Sequence, residues 1–108
     1  MTVEDEYGHD DLTPERVAGL AGRVILEFGA NWCGICRAAR PAIEAGLENA
    51  AGVIHLRIED GPQRPLGRSF AVRLWPTFIF LRDGREIERV VRPQGPEALV
   101  AALERLRT

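Results

Sequence analysis

The sequence predicts a single α/β domain, a central mixed sheet of about four strands with helices on both faces. Three observations carry this. Apolar runs at residues 24–28, 53–58 and 78–81 have the length and composition of strands, and stretches of helical spacing or chain-breaking residues lie between them. Asp83-Gly84 joins the third run to a partly alternating segment at 86–91, which makes those two strands an antiparallel hairpin, because Gly accepts positive φ. At 108 residues, 45% hydrophobic and 28% charged, the chain can build one core and has no room for two.

Residues 1–11 carry Glu4, Asp5, Glu6, Asp10 and Asp11 around Gly8 and His9, and read as a solvated acidic tail ahead of a domain spanning 12–108. A short helix starts at Leu12-Thr13-Pro14-Glu15: Thr13 can cap exposed amides, and Pro14 suits the first helical position, where its missing donor would be unpaired anyway. It should end near Leu20. The run 24–28 is a buried strand closing at Gly29, with Glu27 an acid out of place in it. From Cys33 or just after, Ala39, Ile43, Leu47 and Ala50 recur at helical spacing, and Pro41 inside that helix should kink it.

Residues 53–58 form the next strand, and Gly61-Pro62 through Pro65 breaks the chain before a short helix at about 66–71. In the hairpin, Ile87, Val90 and Val91 sit among charged neighbours, as in an edge strand with one wet face. Gly95-Pro96-Glu97 opens the last helix, where Leu99, Leu103 and Leu106 make one apolar stripe for the sheet.

Charge excludes some functions. All fourteen basic residues are Arg, and sixteen acids leave a net charge of −2, with no basic excess to hold nucleic acid. No apolar run approaches the roughly 20 residues that span a bilayer. The acidic start, Met1-Thr2-Val3-Glu4-Asp5-Glu6, lacks the basic-then-apolar pattern of a secretory signal, so the expected location is the cytoplasm and the expected state a monomer.

The chemistry lies in Trp32-Cys33-Gly34-Ile35-Cys36. Two cysteines three positions apart close too short a loop to stabilise a fold by cross-linking. A Cys-x-x-Cys where a strand delivers the chain to a helix N-terminus has a different use. Unpaired amides there favour negative charge on Cys33, making it a nucleophile, and one helical turn brings Cys36 within reach of a mixed disulfide formed at Cys33. The competing readings are half of a zinc site, for which only His9 and His55 could supply further nitrogen ligands, and an inert core pair.

From Glu27 to Pro41 the sequence Glu-Phe-Gly-Ala-Asn-Trp-Cys-Gly-Ile-Cys-Arg-Ala-Ala-Arg-Pro resembles the active-site segment of the thioredoxin family; Trp75-Pro76-Thr77 is similar to its cis-proline strand and Asp83-Gly84 to its hairpin. The resemblance runs from about Thr13 to the C-terminus. It implies the thioredoxin fold and a thiol-disulfide oxidoreductase that reduces protein disulfides through a Cys33/Cys36 cycle, with no cofactor beyond that reversible disulfide and no metal. Disulfide-containing proteins would be its substrates, and a thiol reductase, as in thioredoxin reductase, its electron donor. The other reading is a binding or assembly module with a redox-switch cysteine pair.

By the same resemblance Pro76 is cis, with Trp75 and Thr77 flanking it and Trp32 beside Cys33, all contacting substrate. Glu27 stands at the family's buried acid, where a raised pKa would let it relay a proton for Cys36. His55 aligns approximately with a Lys that pairs with this acid. The bland alternatives are a trans turn at Pro76, packing for Trp32, a Glu27 that snorkels out, and a solvated or core His55. Three departures stand out. Ile35 replaces the Pro between the cysteines, so Gly34-Ile35 should shift the redox potential. Trp75 is bulkier than the usual aliphatic residue. Arg92-Pro93 stands where a Gly is expected, and with Arg37 and Arg73 it should narrow or charge the groove.

Overall fold

In the computed structural model, which describes residues 6–9 and 11–108, Thr13 caps the first helix, α1 (Pro14–Ala18): its side chain accepts from the Arg16 amide at 3.2 Å, with Pro14 in the first turn. The acids Glu4, Asp5 and Asp10 lie outside the described residues. α1 is shorter than its spacing predicts, because the Gly19 and Leu20 amides turn back onto Glu15, Arg16 and Val17 and close the last turn early.

Strand β1 (Arg23–Gly29) is central. It runs parallel to β2 (Ile54–Glu59) and antiparallel to β3 (Thr77–Arg82), and β3 pairs antiparallel with β4 (Arg85–Val91), giving the order β2-β1-β3-β4. Being flanked on both sides, β1 is buried from Val24 to Gly29, which is why its sequence is a continuous apolar run. Between β1 and β2 the predicted helix is two pieces, α2 (Gly34–Ala38) and α3 (Arg40–Gly46). Pro41 has no N–H for the Arg37 carbonyl four residues back, so the ladder breaks at Ala39. A short α4 (Pro65–Ser69) and the long α5 (Glu97–Arg107) complete the fold. None of the described helices is long and apolar enough to cross a membrane.

Strand alternation sorts the core into two layers. Ile25, Val53, Phe78 and Phe80 pack with Ile43 of α3, Leu47 just past its end, and Leu99, Leu103 and Leu106 of α5. Val24, Leu26, Phe28, Ile58, Ile79 and Leu81 pack on the other face with Val17 of α1 and Leu66 of α4. Glu27 falls two residues after Ile25, on the α3/α5 side, and the parallel register sets Arg57 directly opposite it and His55 opposite Ile25.

The reading of residues 1–11 as a solvated tail does not hold for Tyr7 and Gly8. Gly8 bridges in parallel to Ile58: its amide donates to the Arg57 carbonyl and its carbonyl accepts from the Glu59 amide, both at 2.9 Å. The outer edge of β2 would otherwise leave those groups without partners. Tyr7 is buried as a result.

Asp83 (φ 50°) and Gly84 (φ 80°) form the hairpin turn the sequence predicts, and Gly22 ties it down, its amide donating to Asp83 Oδ1 at 2.8 Å and its carbonyl accepting from the Asp83 amide at 2.9 Å. A Cβ at Gly84 would lie 2.2 Å from the Ala18 carbonyl oxygen. Gly84→Ala therefore combines a left-handed backbone with a clash against main chain, and should cost about 2 kcal/mol or more. Urea unfolding checks this as a lower midpoint at unchanged slope; an unchanged midpoint would contradict it.

Candidate active site

Cys33 is the N-cap of α2. Its extended backbone (φ −76°, ψ 113°) turns its sulfur back over the helix start, where Sγ accepts the Cys36 amide at 3.2 Å. That amide has no earlier helical carbonyl to bond, so the sulfur takes its place and the donated N–H favours negative charge there. Both cysteines are free thiols, with Cys33 at the rim (8% exposed) and Cys36 sealed (0%). Burial, reinforced by the neighbouring Cys33 sulfur, pushes the Cys36 thiol up to about 11, so near neutral pH it is held in reserve. Gly34 and Ile35 between them are exposed, and Gly34 has open space around it.

The Trp75–Pro76 bond is cis. Trp32 is 74% exposed and meets the Trp75 ring edge-on, centroids 5.5 Å apart. Trp75 packs against the cluster of Ala30, Cys33 and Cys36, and Asp60 fixes its ring by accepting from Nε1 at 2.9 Å while also bonding Arg68 at 2.8 Å. Arg92 takes a left-handed conformation (φ 48°), which explains why a Gly suits this position. Its amide donates to the Pro76 carbonyl at 2.9 Å and its Nε to the Trp75 carbonyl at 2.8 Å. Ile35, Ala39, Pro76, Arg92, Pro93 and Gln94 line a groove of about 360 Å³ beside the cysteines.

Thr77 is buried, and its hydroxyl donates to the Leu74 carbonyl at 2.6 Å, so its side chain holds the approach to the cis bond. Arg73 lines a separate small pocket with Leu74, Thr77 and Val91, while Arg37 stays exposed on α2.

Glu27 is fully buried and does not snorkel. Oε1 accepts from His55 Nε2 at 2.8 Å and from Arg57 Nε at 3.0 Å, and Oε2 accepts from the Tyr7 hydroxyl. The expected raised pKa is not what this arrangement gives. Burial pushes the carboxyl upward, but His55, Arg57 and Tyr7 together outweigh it, so the group sits below the ordinary range and stays ionised. A carboxylate held that way takes up a proton less readily than burial alone would make it.

The family model for thioredoxin matches residues 11–105. The chain belongs to the thioredoxin family. Thioredoxin 2 of Pseudomonas aeruginosa PAO1, solved in its reduced form, is 47% identical and superposes with a TM-score of 0.85 over 96% of each chain. Thioredoxin H-type 1 of Nicotiana tabacum is 34% identical over 74 residues, 68% of this chain and 59% of the tobacco protein. A thioredoxin H-type of Oryza sativa subsp. indica is 33% identical over 88 residues, 82% and 70% of the two. Thiol-disulfide oxidoreduction is accordingly the chemistry of this site. It calls for no cofactor, because the two sulfurs themselves carry the two electrons. The zinc reading finds no support: His55 is taken up by Glu27, and no three potential ligands gather among the described residues.

Sequence reasoning missed Tyr7, Asn31, Arg57 and Asp60. Asn31 clamps Tyr7 by its main chain, accepting from its amide at 2.8 Å and donating to its carbonyl at 3.2 Å. An Arg within an apolar strand beside a strand holding a lone Glu was the available signal for Arg57, and a lone aromatic in an acidic stretch was the signal for Tyr7.

Glu27→Gln puts a neutral amide where His55, Arg57 and Tyr7 hold a buried carboxylate, and should cost about 3 kcal/mol at pH 7. Since the folded pKa is depressed, the stability Glu27 contributes is present above the unfolded value and is lost as pH falls through the folded one. The gap between parent and variant in urea midpoint should therefore shrink from pH 7 to pH 3. A gap equal at both pH values would contradict an ionised Glu27.

Proposed function

We propose that this thioredoxin-family chain is a protein-disulfide reductase in which Cys33 attacks and Cys36 resolves. The observation that carries it is the asymmetry of the pair: one sulfur at the rim accepting an amide, the other wholly buried one turn away. The Cys33 thiolate attacks a substrate disulfide and releases one substrate thiolate. Cys36 then attacks Cys33 Sγ, forming the Cys33–Cys36 disulfide and releasing the second substrate sulfur as a thiol. Two electrons pass from the protein dithiol to the substrate, and a thiol reductase of the thioredoxin reductase kind returns them. A reducing compartment, the cytoplasm, suits a protein recharged in this way. It acts as a monomer, since exposed Trp32 and Ile35 ring the cysteines and self-association through them would cover the site.

Trp32, Trp75, Pro76 and Arg92 form the substrate surface, and Gly34 and Ile35 tune the potential. Arg92 ties up the Trp75 and Pro76 carbonyls, so a substrate segment that pairs with the Trp75 main chain must draw the guanidinium away. An acidic substrate side chain compensates that loss, which favours acidic segments beside the disulfide.

Insulin reduction tests the sulfur roles: Cys33→Ser should show no turnover and Cys36→Ser should accumulate a mixed disulfide, whereas normal turnover by Cys33→Ser would refute the assignment. For substrate choice, Arg92→Ala should lower the ratio of kcat/KM for an acidic over a neutral peptide disulfide by on the order of tenfold. An unchanged ratio would remove Arg92 from specificity.

A further inference from the structure

Between the buried carboxylate and the buried thiol stands a hydroxyl that the reaction above does not use. The Tyr7 ring packs in one cluster with Ala30, Cys33 and Cys36, and its hydroxyl donates to Glu27 Oε2. Its placement is built from several sides. Asn31 grips the Tyr7 main chain and Gly8 bridges to β2. Gly29 leaves the space the ring fills, since a Cβ there would lie 2.6 Å from the ring carbon Cζ. The Arg40 guanidinium stands over the ring, 5.9 Å from its centre.

We propose that Tyr7 is a switchable hydrogen-bond donor for the resolving step: its single proton bonds Glu27 at rest and turns to Cys36 as negative charge develops on that sulfur. The inference deepens the reductase reading and rests on Cys36 being the resolving thiol. A hydroxyl has one proton to donate, and Cys36 lies in the same packed cluster as the ring that carries it. At rest the ionised carboxylate takes it. In the mixed disulfide Cys36 must attack Cys33 Sγ from a site that water does not reach, and a donor aimed at the forming thiolate replaces the missing solvent. Sγ of Cys36 bonds to Sγ of Cys33, the bond from Cys33 to the substrate sulfur breaks, and the departing sulfur carries off the electron pair. The Cys36 proton ends on that departing thiol or in solvent.

Tyr7 gives up no proton. Burial, followed by the Glu27 charge, pushes its hydroxyl far upward, so it acts only as a donor. Glu27 keeps His55 and Arg57 on Oε1 while the hydroxyl is turned away.

Reaction of the reduced protein with 5,5′-dithiobis(2-nitrobenzoate) separates the two steps, because attack by Cys33 releases the first coloured thiolate and resolution by Cys36 the second. Tyr7→Phe keeps the ring and removes the donor. The first release should stay within about twofold of the parent, while the second slows on the order of tenfold and its pH midpoint moves up. The groups facing Cys36 and Tyr7 are Cys33 on α2, Glu27 on β1 backed by His55 and Arg57 on β2, and Arg40 on α3; all are unchanged in this variant, so the shift belongs to the hydroxyl.

Tyr7 is also the sole tyrosine of the sequence, so 3,5-difluorotyrosine enters at this one position and makes a stronger donor of the same shape. It should speed the second release and lower its midpoint, and it decides the matter if Tyr7→Phe does not fold. A second release unchanged in the folded analogues, or both releases slowed alike, overturns the Tyr7 role. Loss of the first release from the parent protein would instead overturn the reading of Cys33.

Discussion

A carboxylate sits fully buried in the middle of the sheet, and much of the site is arranged to keep it there. Taking such a charge out of water costs several kcal/mol even after relaxation, and only good partners offset that cost. Glu27 finds three, from places far apart in the chain: His55 and Arg57 on the neighbouring parallel strand, and Tyr7 from the N-terminal segment. Each partner carries a structural consequence. Arg57 and His55 bring polar side chains into a strand that otherwise reads as apolar. Tyr7 draws its own segment onto the edge of β2 and requires both the Asn31 clamp and a residue without a side chain at Gly29.

The same junction sets the chemistry. β1 ends at Gly29, and Ala30 through Trp32 lead directly to Cys33 at the start of α2, so Tyr7, which bonds the buried carboxylate, packs against the sulfur pair. One sulfur reaches the rim and accepts an amide, while the other lies sealed against Tyr7. The two identical groups thus stand in different environments, on which the proposed division between attack and resolution rests. On the substrate side, Asp60 holds the Trp75 ring and Arg92 occupies the carbonyls around the cis bond, so the groove is shaped by polar contacts and not by apolar packing alone.

What could be read from the sequence was local. The cysteine pair, the strand before it, the hairpin at Asp83-Gly84 and the oddity of Glu27 each declare themselves within a few residues, through spacing or turn chemistry, while Pro76 was legible only through the resemblance to the thioredoxin family. The pairing of His55 with Glu27 came from the same resemblance, which sets His55 near a Lys that pairs with the family's buried acid. Arg57 needed the register of a parallel pair, which is fixed across 30 residues by the crossover and not by any turn. Tyr7 was hidden by its company: five acids among the first eleven residues gave the stretch a solvated average, and the average conceals the one side chain that the core takes in. Glu27 itself was seen, but its protonation was misjudged, because burial alone raises a carboxyl and the three donors that reverse this come from elsewhere in the chain.

The site depends on Glu27 being charged and held by three donors. The most direct test is a titration of its side-chain carboxyl carbon by NMR in the reduced protein, labelled at glutamate and assigned with Glu27→Gln. Held by its three donors, the carboxyl should give an ionised signal throughout pH 5 to 9, with its midpoint below the roughly 4.3 of an ordinary glutamate. A midpoint near 7 would show a protonated acid in the resting site and contradict a charged Glu27.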